Sequence, residues 1–596
     1  MRAADYIFKH LADRGVRDVF LVTGGGAMHL NNALALERRI RPICCHHEQA
    51  CAIAAEGYTR VVGGIGVVSV TSGPGGTNAL TGVIGQWLDS IPVLYVSGQV
   101  KFQTCIASCP ELGLRQLGDQ EINIVDIVRP VTKYAVLVSD PTRIRYELEK
   151  AISIALSGRP GPVWLDIPLD VQAAPVDANA LVGFTVPVAA EAPTSEQIER
   201  VRSILVTSNS PVLVAGHGIR IAGAQRLFEG LVRRLEIPVL TTFNGLDLLT
   251  TDHPCYVGRI GNQGTRAGNF AIQNADVALF IGTRNNIRQV SYGWENFAAS
   301  AVKIVVDVDD KELEKPTIRP DIAIQADAGA FLAAMSESFA GSTWRAPSEW
   351  RSWCIQRRER YPVALPEYAL GESHVHPYHF VDRLTALAKD GEVFVTGNGT
   401  ASVAYSQAAR VKMGQRGIMN SGCAAMGYGL PAAMGAAFAS EGGTVCLDGD
   451  GSIMMNLQEL QTIAHHRVPL KIFVFNNDGY SSIVQTQTNF FDGVLIGCNP
   501  ASGVTFPSFQ RVAEAFALPY ARIDSHAGLD TAIQHVLDAE GPLLCEVVLR
   551  TDYTFAPKIS SRRLPDGRMV SSPPDDMAPF LSREEYASNR YVGGLG

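Results

Sequence analysis

The stretch TVCLDGDGSIMMNLQELQTIAHHRVPLKIFVFNNDGY, residues 444–480, decides the fold class because it has the pattern of one repeat of a parallel sheet. TVCL and LKIFVF are short apolar runs, and the segment between them has apolar residues at helical spacing. A strand, a glycine turn, a helix and a second strand predict two parallel strands whose carboxyl ends share one edge of a sheet. Ligands of open α/β sheets bind at that edge.

The same stretch also contains part of a calcium-binding loop pattern. Asp448, Asp450, Ser452 and Glu459 fall at positions 1, 3, 5 and 12 of an EF-hand loop. An EF-hand needs helices on both sides and a glycine at position 6, whereas a strand precedes this loop and Ile453 occupies that position. The sequence therefore favours a ligand-binding turn at a strand end over a calcium loop.

Two turns of the stretch carry the oxygen ligands that a magnesium diphosphate requires. A helix N-terminus suits diphosphate oxygens, and Mg²⁺ prefers an octahedron of hard oxygen ligands. Asp450 can supply a carboxylate, Asn477 an amide oxygen and Gly479 a main-chain carbonyl. GDG alone is common in ordinary turns, but GDG and NN at two successive strand ends form a specific signal. We therefore predict that these three residues bind Mg²⁺.

Apolar runs alternate with helical segments along most of the chain, which predicts parallel sheets covered by helices. Polar connectors at residues 189–197 and 343–377 divide it. The other predicted strands include DVFLV (18–22), GVVSV (66–70), PVLYVSG (92–98), PVLVAG (211–216), VALFIG (277–282) and KIVVDVD (303–309). We predict an α/β protein of three consecutive doubly wound parallel-sheet domains and a tail, at residues 1–180, 190–342, 375–550 and 551–596.

The composition restricts the class of protein. With 596 residues, 46% of them hydrophobic and 18% charged, the chain is typical of a multidomain α/β enzyme. A net charge of -8 disfavours a broad nucleic-acid-binding surface. No apolar run approaches the roughly 18 residues of a membrane span, and the 11 cysteines contain no CxxC pair. We expect a cytoplasmic protein with reduced thiols, without nucleic-acid or membrane partners.

The GDG and NN motifs resemble the signature of the thiamine diphosphate (ThDP) enzymes, and the resemblance covers nearly the whole chain. Three stretches are similar to the acetolactate synthase branch: VTSGPGGTNALTGVIGQWLDSIPVLYVSGQV (70–100), RPVTKYAVLV (129–138) and MGYGLPAAMGAA (426–437). The resemblance implies pyrimidine-binding, middle and diphosphate-binding domains in that order. It also implies ThDP and Mg²⁺ as cofactors, with Asp450, Asn477 and Gly479 at the metal.

The resemblance assigns further residues to the cofactor. Thr400-Ala401 replaces the Gln-His of acetolactate synthases after a glycine of the diphosphate loop. Met426 corresponds to the bulky residue that wedges beneath the cofactor, although a core methionine is the plain alternative. The cofactor-binding residues implied are Gly399, the carbonyl of Ala424, Met426, Gly451, Ser452 and Tyr480.

Glu48, in CCHHEQACAIAAEGYTR, is the predicted catalytic carboxylate. A zinc-protease HExxH reading fails because Cys51 stands where the second histidine is needed. The resemblance implies that Glu48 exchanges a proton with the cofactor pyrimidine across a subunit interface, in a homodimer or homotetramer. Gln120 matches the catalytic glutamine of the active-site loop, where Asp119 replaces the family's phenylalanine.

The sequences of the middle domain and the tail do not identify a single substrate. Arg284 matches the arginine of a flavin-binding segment, which leaves a bound FAD and a vestigial site as alternatives. The tail, SSRRLPDGRMVSSPPDDMAPFL (560–581), resembles ThDP flavoenzymes that act on nucleotide-linked ketosugars or cyclic diones. The implied function is a carboligase that decarboxylates a 2-ketoacid, pyruvate, and transfers the acetyl unit to a carbonyl acceptor. A C–C hydrolase of a dione and a non-catalytic nucleotide- or flavin-binding scaffold are the alternatives.

Overall fold

The computed structural model describes residues 1–186, 192–371, 373–563, 566 and 568–593. Residues 189–191 of the first predicted connector therefore lie outside the described residues, as do residue 372 of the second and residues 564, 565, 567 and 594–596 of the tail. Three six-stranded sheets, all parallel and flanked by helices, confirm the predicted α/β architecture. The exact domain bounds stay predictions.

The first sheet lies in the N-terminal part of the chain. Its strands are β1 (Asp18–Leu21), β2 (Arg41–Cys44), β3 (Gly66–Val70), β4 (Val93–Gln99), β5 (Tyr134–Leu137) and β6 (Val163–Pro168). Its helices are α1 (Ala3–Asp13), α2 (Met28–Leu36), α3 (Glu48–Val62), α4 (Pro74–Asn78), α5 (Leu80–Asp89), α6 (Ile124–Val128), α7 (Ile144–Leu156) and α8 (Leu169–Ala173). The strand order is β2-β1-β3-β4-β6-β5.

The second sheet forms the middle of the chain. Its strands are β7 (Pro211–Ala215), β8 (Val239–Thr241), β9 (Tyr256–Arg259), β10 (Val277–Ile281), β11 (Val302–Asp307) and β12 (Ile322–Gln325). Its helices are α9 (Ser195–Thr207), α10 (Gly218–Ile221), α11 (Gln225–Leu235), α12 (Arg266–Asn274), α13 (Ile287–Val290), α14 (Asp310–Glu314), α15 (Ala328–Ser338) and α16 (Ser348–Arg360). The order β12-β11-β10-β7-β8-β9 reverses direction between β7 and β10.

The third sheet contains the opening stretch. Its strands are β13 (Val393–Thr396), β14 (Arg416–Met419), β15 (Thr444–Gly449), β16 (Leu470–Asn476), β17 (Tyr520–Ile523) and β18 (Leu543–Val548). Its helices are α17 (Pro377–Leu387), α18 (Thr400–Ala408), α19 (Gly429–Ala439), α20 (Asp450–Ile453), α21 (Glu459–His466), α22 (Ser481–Phe490), α23 (Phe509–Ala515) and α24 (Leu529–Asp538). The order β14-β13-β15-β16-β18-β17 places β15 beside β16.

The first and third sheets share a hydrophobic core through two helices rich in small residues, α3 and α19. A side chain at Gly57 would collide with the main chain of Ala432, and one at Gly435 with the main chain of Ala54. The absence of side chains lets the two helix backbones approach closely. This contact fixes the start of α3, which carries Glu48, relative to the third sheet.

The tail returns across the molecule after β18. It forms a two-stranded antiparallel ribbon, β19 (Ser561–Arg563) with β20 (Met569–Ser571), and a helix, α25 (Arg583–Ser588). Arg266 of the middle part donates hydrogen bonds to the carbonyls of Met577 and Pro579. Within the described residues, no helix combines the length and apolarity required to cross a bilayer.

Candidate cofactor and metal site

The predicted metal ligands meet at the carboxyl ends of β15 and β16. Asp450 Oδ2 accepts hydrogen bonds from the main-chain N–H groups of Asn477 and Gly479, both at 3.1 Å. Its Oδ1 accepts from the N–H of Gly451 at 2.7 Å. The two strands run in register, with Gly449 beside Phe475, so the turns that follow them are adjacent. The sequence spacing thus brings the GDG and NN turns together.

The donor set at these turns fits a divalent cation. Asn477 Oδ1 is buried and has no hydrogen-bond partner among the described residues. Asp450 is 2% exposed, and its burial raises the pKa of the carboxyl to about 6. A cation would satisfy the orphaned amide oxygen and favour the charged carboxylate. Carboxylate, amide and carbonyl oxygens are the hard ligands that Mg²⁺ selects.

Gly451 and Ser452 lie in the first turn of α20, and their contacts show why a glycine and a serine occupy these positions. A Cβ at Gly451 would overlap the ring of Tyr480, so the aromatic side chain packs directly on this main chain. Ser452 Oγ accepts a hydrogen bond from the N–H of Gly427 at 3.0 Å. The α20 turn is therefore tied both to Tyr480 and to the segment that carries Met426.

The segment between β14 and α19 presents Ala424 and Met426 outward. Ala424 has a φ of 55°, and Asn398 Nδ2 donates to the Ala425 carbonyl at 2.6 Å. Met426 is 38% exposed, which argues against the core-methionine alternative. The wedge role stays a prediction, on a residue that the fold leaves accessible.

Gly399 precedes α18 at the carboxyl end of β13. Its φ of 77° and ψ of -136° favour glycine, because L side chains rarely adopt that conformation. Thr400, which follows, lies with its Oγ1 2.6 Å from the hydroxyl of Tyr553. Reasoning from the sequence missed this pair, and no local pattern near Tyr553 signals it.

Glu48 is the first residue of α3 and is 8% exposed. Its Oε2 accepts a hydrogen bond from Asn78 Nδ2 at 3.0 Å. Gln120 lies on the exposed loop before α6 with a φ of 59°, and its carbonyl lies close against Gly73. Within the described part of this chain, no hydrogen bond joins Glu48 to Asp450 or Asn477. The structure therefore brings the predicted metal ligands together, whereas Glu48 lies on a separate segment.

A cavity of about 800 Å³ lies between the three sheets and includes Arg284 in its wall. It lies at the point where the order of the second sheet reverses, between Gly216 after β7 and Gly282 after β10. The main chains at these two positions approach so closely that a Cβ on Gly216 would meet the carbonyl of Gly282. Arg284 Nη2 lies 3.6 Å from Asp89 Oδ1, across the boundary with the first part of the chain.

Two further residues of the cavity wall were not predicted. His217 is half-buried, and desolvation lowers its pKa to about 3, so the ring is neutral at ordinary pH. Asp307, at the end of β11, has its pKa raised by burial to about 6. The signal that could have found this wall is Gly216-His217-Gly218, a glycine turn directly after the apolar run PVLVA.

Comparisons with known proteins identify the family of the chain. The chain matches models of thiamine pyrophosphate enzymes: the N-terminal TPP binding domain over residues 1–122, the central domain over 198–335 and the C-terminal TPP binding domain over 397–547. It is 33% identical over 573 residues to acetolactate synthase 1, chloroplastic, of Zea mays, covering 94% of this chain and 87% of that protein.

A second relative comes from a bacterium. The chain is 30% identical over 558 residues to the acetolactate synthase isozyme 1 large subunit of Escherichia coli (strain K12), covering 93% of this chain and 95% of that protein. The family-model matches fall in all three sheets. The chain therefore belongs to the thiamine pyrophosphate enzyme family, in its acetolactate synthase-like branch, and is a ThDP-dependent enzyme.

Proposed function

We propose that this enzyme uses ThDP and Mg²⁺ to decarboxylate pyruvate and transfer the acetyl unit to a carbonyl acceptor. The observation that carries the proposal is the buried, unpartnered Oδ1 of Asn477 beside Asp450. A cation would satisfy that oxygen, and the adjacent turns carry further oxygen atoms that could bind it. The relatives named acetolactate synthase support the same reaction class.

Different residues of this chain would bind the cofactors and exchange the proton. Asp450, Asn477 and the carbonyl of Gly479 would hold Mg²⁺ against the diphosphate, with the N–H groups at the start of α20 facing anionic oxygens. Bound ThDP supplies the electron sink for loss of CO₂. Asn78 holds one oxygen of Glu48, which leaves the other oxygen to exchange a proton with the cofactor pyrimidine.

The resemblance to acetolactate synthases supports an active site shared between subunits. In this arrangement the third sheet of one subunit faces Glu48 of a second. A homodimer, or a homotetramer built from dimers, satisfies this arrangement. We expect the monomer to be inactive.

The cavity at the second sheet is proposed to bind FAD. Numbered from β7, its strand order is the 3-2-1-4-5-6 of dinucleotide-binding sheets, which bind at the reversal point. Its volume of about 800 Å³ lies within the usual range of about 300–1,000 Å³ for ligand pockets. The glycine turns after β7 and β10 pack against each other beside this cavity. Arg284 and His217 would border it.

The acceptor has a second candidate, a nucleotide-linked ketosugar. Asp119 replaces the phenylalanine of acetolactate synthases, so the exposed loop carrying Gln120 is more polar. Hydrolysis of a dione remains the alternative reaction on the same cofactors. The scaffold hypothesis is not retained, because the chain belongs to an enzyme family.

The test is NMR of the purified protein with carbon-13 pyruvate, ThDP, Mg²⁺ and FAD, with the Asp450→Asn variant as the control. Acetolactate that accumulates with wild type and not with the variant would establish pyruvate as both donor and acceptor. Slow CO₂ release without acetolactate would support the donor half and direct the search to ketosugars. No CO₂ from the ThDP-loaded wild type would refute pyruvate as the donor.

A further inference from the structure

Tyr553 and Thr400 form a buried pair of hydroxyl groups beside the metal turns. Tyr553 follows β18 and is 6% exposed, and its Oη lies 2.6 Å from Thr400 Oγ1. The pair connects the beginning of the tail segment to the turn after β13, although 153 residues separate its members. Neither hydroxyl has a role in the proposed reaction described above.

The hydroxyl pair faces the amide nitrogen of the metal ligand Asn477. Asn477 Nδ2 lies 3.3 Å from Tyr553 Oη and 3.5 Å from Thr400 Oγ1. An amide nitrogen only donates hydrogen bonds and an amide oxygen only accepts them. With Nδ2 held by hydroxyl oxygens, the opposite corner of the planar amide is Oδ1, the orphaned oxygen.

We propose that Tyr553 is a positioning residue that keeps Oδ1 of Asn477 turned towards the metal; this rests on the proposed Mg²⁺-dependent function. When Oδ1 binds a cation, Nδ2 must find its acceptor elsewhere, because an unpaired buried donor is costly. Tyr553 Oη accepts the hydrogen bond from Nδ2, and its own O–H can donate a hydrogen bond to Thr400 Oγ1. Partners that orient metal ligands in this way typically change metal affinity by about 10–100-fold.

The main chain around Tyr553 is held by α22, the helix that begins just after the turn carrying Asn477. Gln485 Nε2 donates to the carbonyl of Tyr553, and Gln485 Oε1 accepts from the N–H of Phe555, both at 3.4 Å. The ring of Phe555 packs edge-on against Tyr553, with centroids 5.8 Å apart. The hydroxyl is therefore fixed by the same segment that follows Asn477.

The test replaces Tyr553 with phenylalanine, which removes only the hydroxyl. Mg²⁺ is titrated by calorimetry into the full-length protein in excess ThDP, and the rate is measured against Mg²⁺ concentration. We expect the Mg²⁺ dissociation constant to rise roughly 10-fold, with the rate at saturating Mg²⁺ restored. Thr400→Val should weaken Mg²⁺ binding similarly, whereas Thr400→Ser, which keeps the hydroxyl, should not.

The matched control is Tyr378→Phe. Tyr378 Oη donates to Gln407 Oε1 at 2.6 Å and accepts from the N–H of Ala556 at 3.2 Å, so it also anchors the tail without touching Asn477. Its loss should leave Mg²⁺ affinity unchanged. Equal affinity in Tyr553→Phe and wild type, or equal weakening in both tyrosine variants, would overturn the positioning role alone. A wild type that binds ThDP without any need for Mg²⁺ would overturn the proposed metal function as well.

Discussion

Replacing Arg60 with methionine is expected to lower the stability by about 3 kcal/mol, because it breaks a fully buried ion-pair network. Arg60 Nη2 lies 2.9 Å from Glu56 Oε1 and 3.0 Å from Asp89 Oδ2, and the three side chains are 2%, 0% and 0% exposed. Removing one partner of a buried pair typically costs about 3–5 kcal/mol, since the remaining charge is uncompensated.

The structure places the expected loss at the lower end of that range. Without Arg60, Asp89 still accepts hydrogen bonds from the N–H groups of Ser421 and Gly422, both at 3.0 Å, and still has Arg284 Nη2 at 3.6 Å. Among the described residues, Glu56 would then accept a hydrogen bond only from the hydroxyl of Tyr428, at 2.9 Å, but burial already raises the pKa of Glu56, so its carboxyl can become neutral. At about 2–4 °C per kcal/mol for units of 150–250 residues, the melting temperature should fall by about 6–12 °C.

The assay is thermal unfolding followed by circular dichroism, without cofactors. The control is Arg129→Met, whose partner Asp126 lies at 2.7 Å but with side chains 66% and 63% exposed. Exposed pairs contribute about 0–1 kcal/mol, so that variant should melt near wild type. The gap between Arg60→Met and wild type should narrow in acid, where the unpaired Glu56 is protonated. Equal melting of both variants would refute the reasoning.

Three other changes test the catalytic carboxylate, the glycine turn and the pH dependence. Glu48→Gln keeps an oxygen that accepts from Asn78 but removes the carboxyl group that exchanges a proton. Steady-state kinetics should therefore show a rate about 10²–10⁴-fold lower, while calorimetry shows that ThDP still binds. An unaltered rate would contradict the proton exchange. Gly451→Ala should displace the ring of Tyr480 and weaken Mg²⁺–ThDP binding, measured by calorimetry, and unchanged affinity would show that the ring moves freely. Burial raises the pKa of Asp166 in the folded protein to about 7. Protonated Asp166 therefore contributes its full stabilisation below the pKa of the unfolded chain, and this stabilisation is lost as pH rises through about 7. Urea unfolding should therefore show stability falling from about pH 4 to 7, and Asp166→Asn should reduce that slope by up to about 1.4 kcal/mol per pH unit; an identical slope would exclude this group.

Local sequence patterns predicted the strands of the opening stretch but not the helix between them. β15 and β16 begin where the apolar runs begin, because each run packs on both faces of the sheet. The single predicted helix is instead two, α20 and α21, separated by a 3-10 turn at Met454–Asn456. Asn456 causes no local break in the pattern. Its buried side chain donates to Gln49 and to the carbonyl of Gly427, which are distant in sequence.

The parts of the site that the sequence missed all depend on contacts between distant segments. Tyr553 carries no motif, and its significance appears only when the fold places its hydroxyl against Thr400 and Asn477. The cavity beside Arg284 likewise has walls from all three sheets, and its glycine turns are individually ordinary. Motif spacing therefore predicted ligands that lie on neighbouring strands, but not the groups that orient them.

The two halves of the predicted active site differ in role although their sheets share one topology. Counted from its own first strand, the third sheet has the same order as the first, 2-1-3-4-6-5. Glu48 follows the second strand of one sheet, and Met426 follows the second strand of the other. The third and fourth strand ends of the third sheet carry Asp450 and Asn477, whereas the corresponding third strand of the first sheet ends in the glycine turn at Gly73. One half therefore carries the predicted proton-exchanging carboxylate and the other the predicted metal ligands, so the proposed reaction needs both sheets.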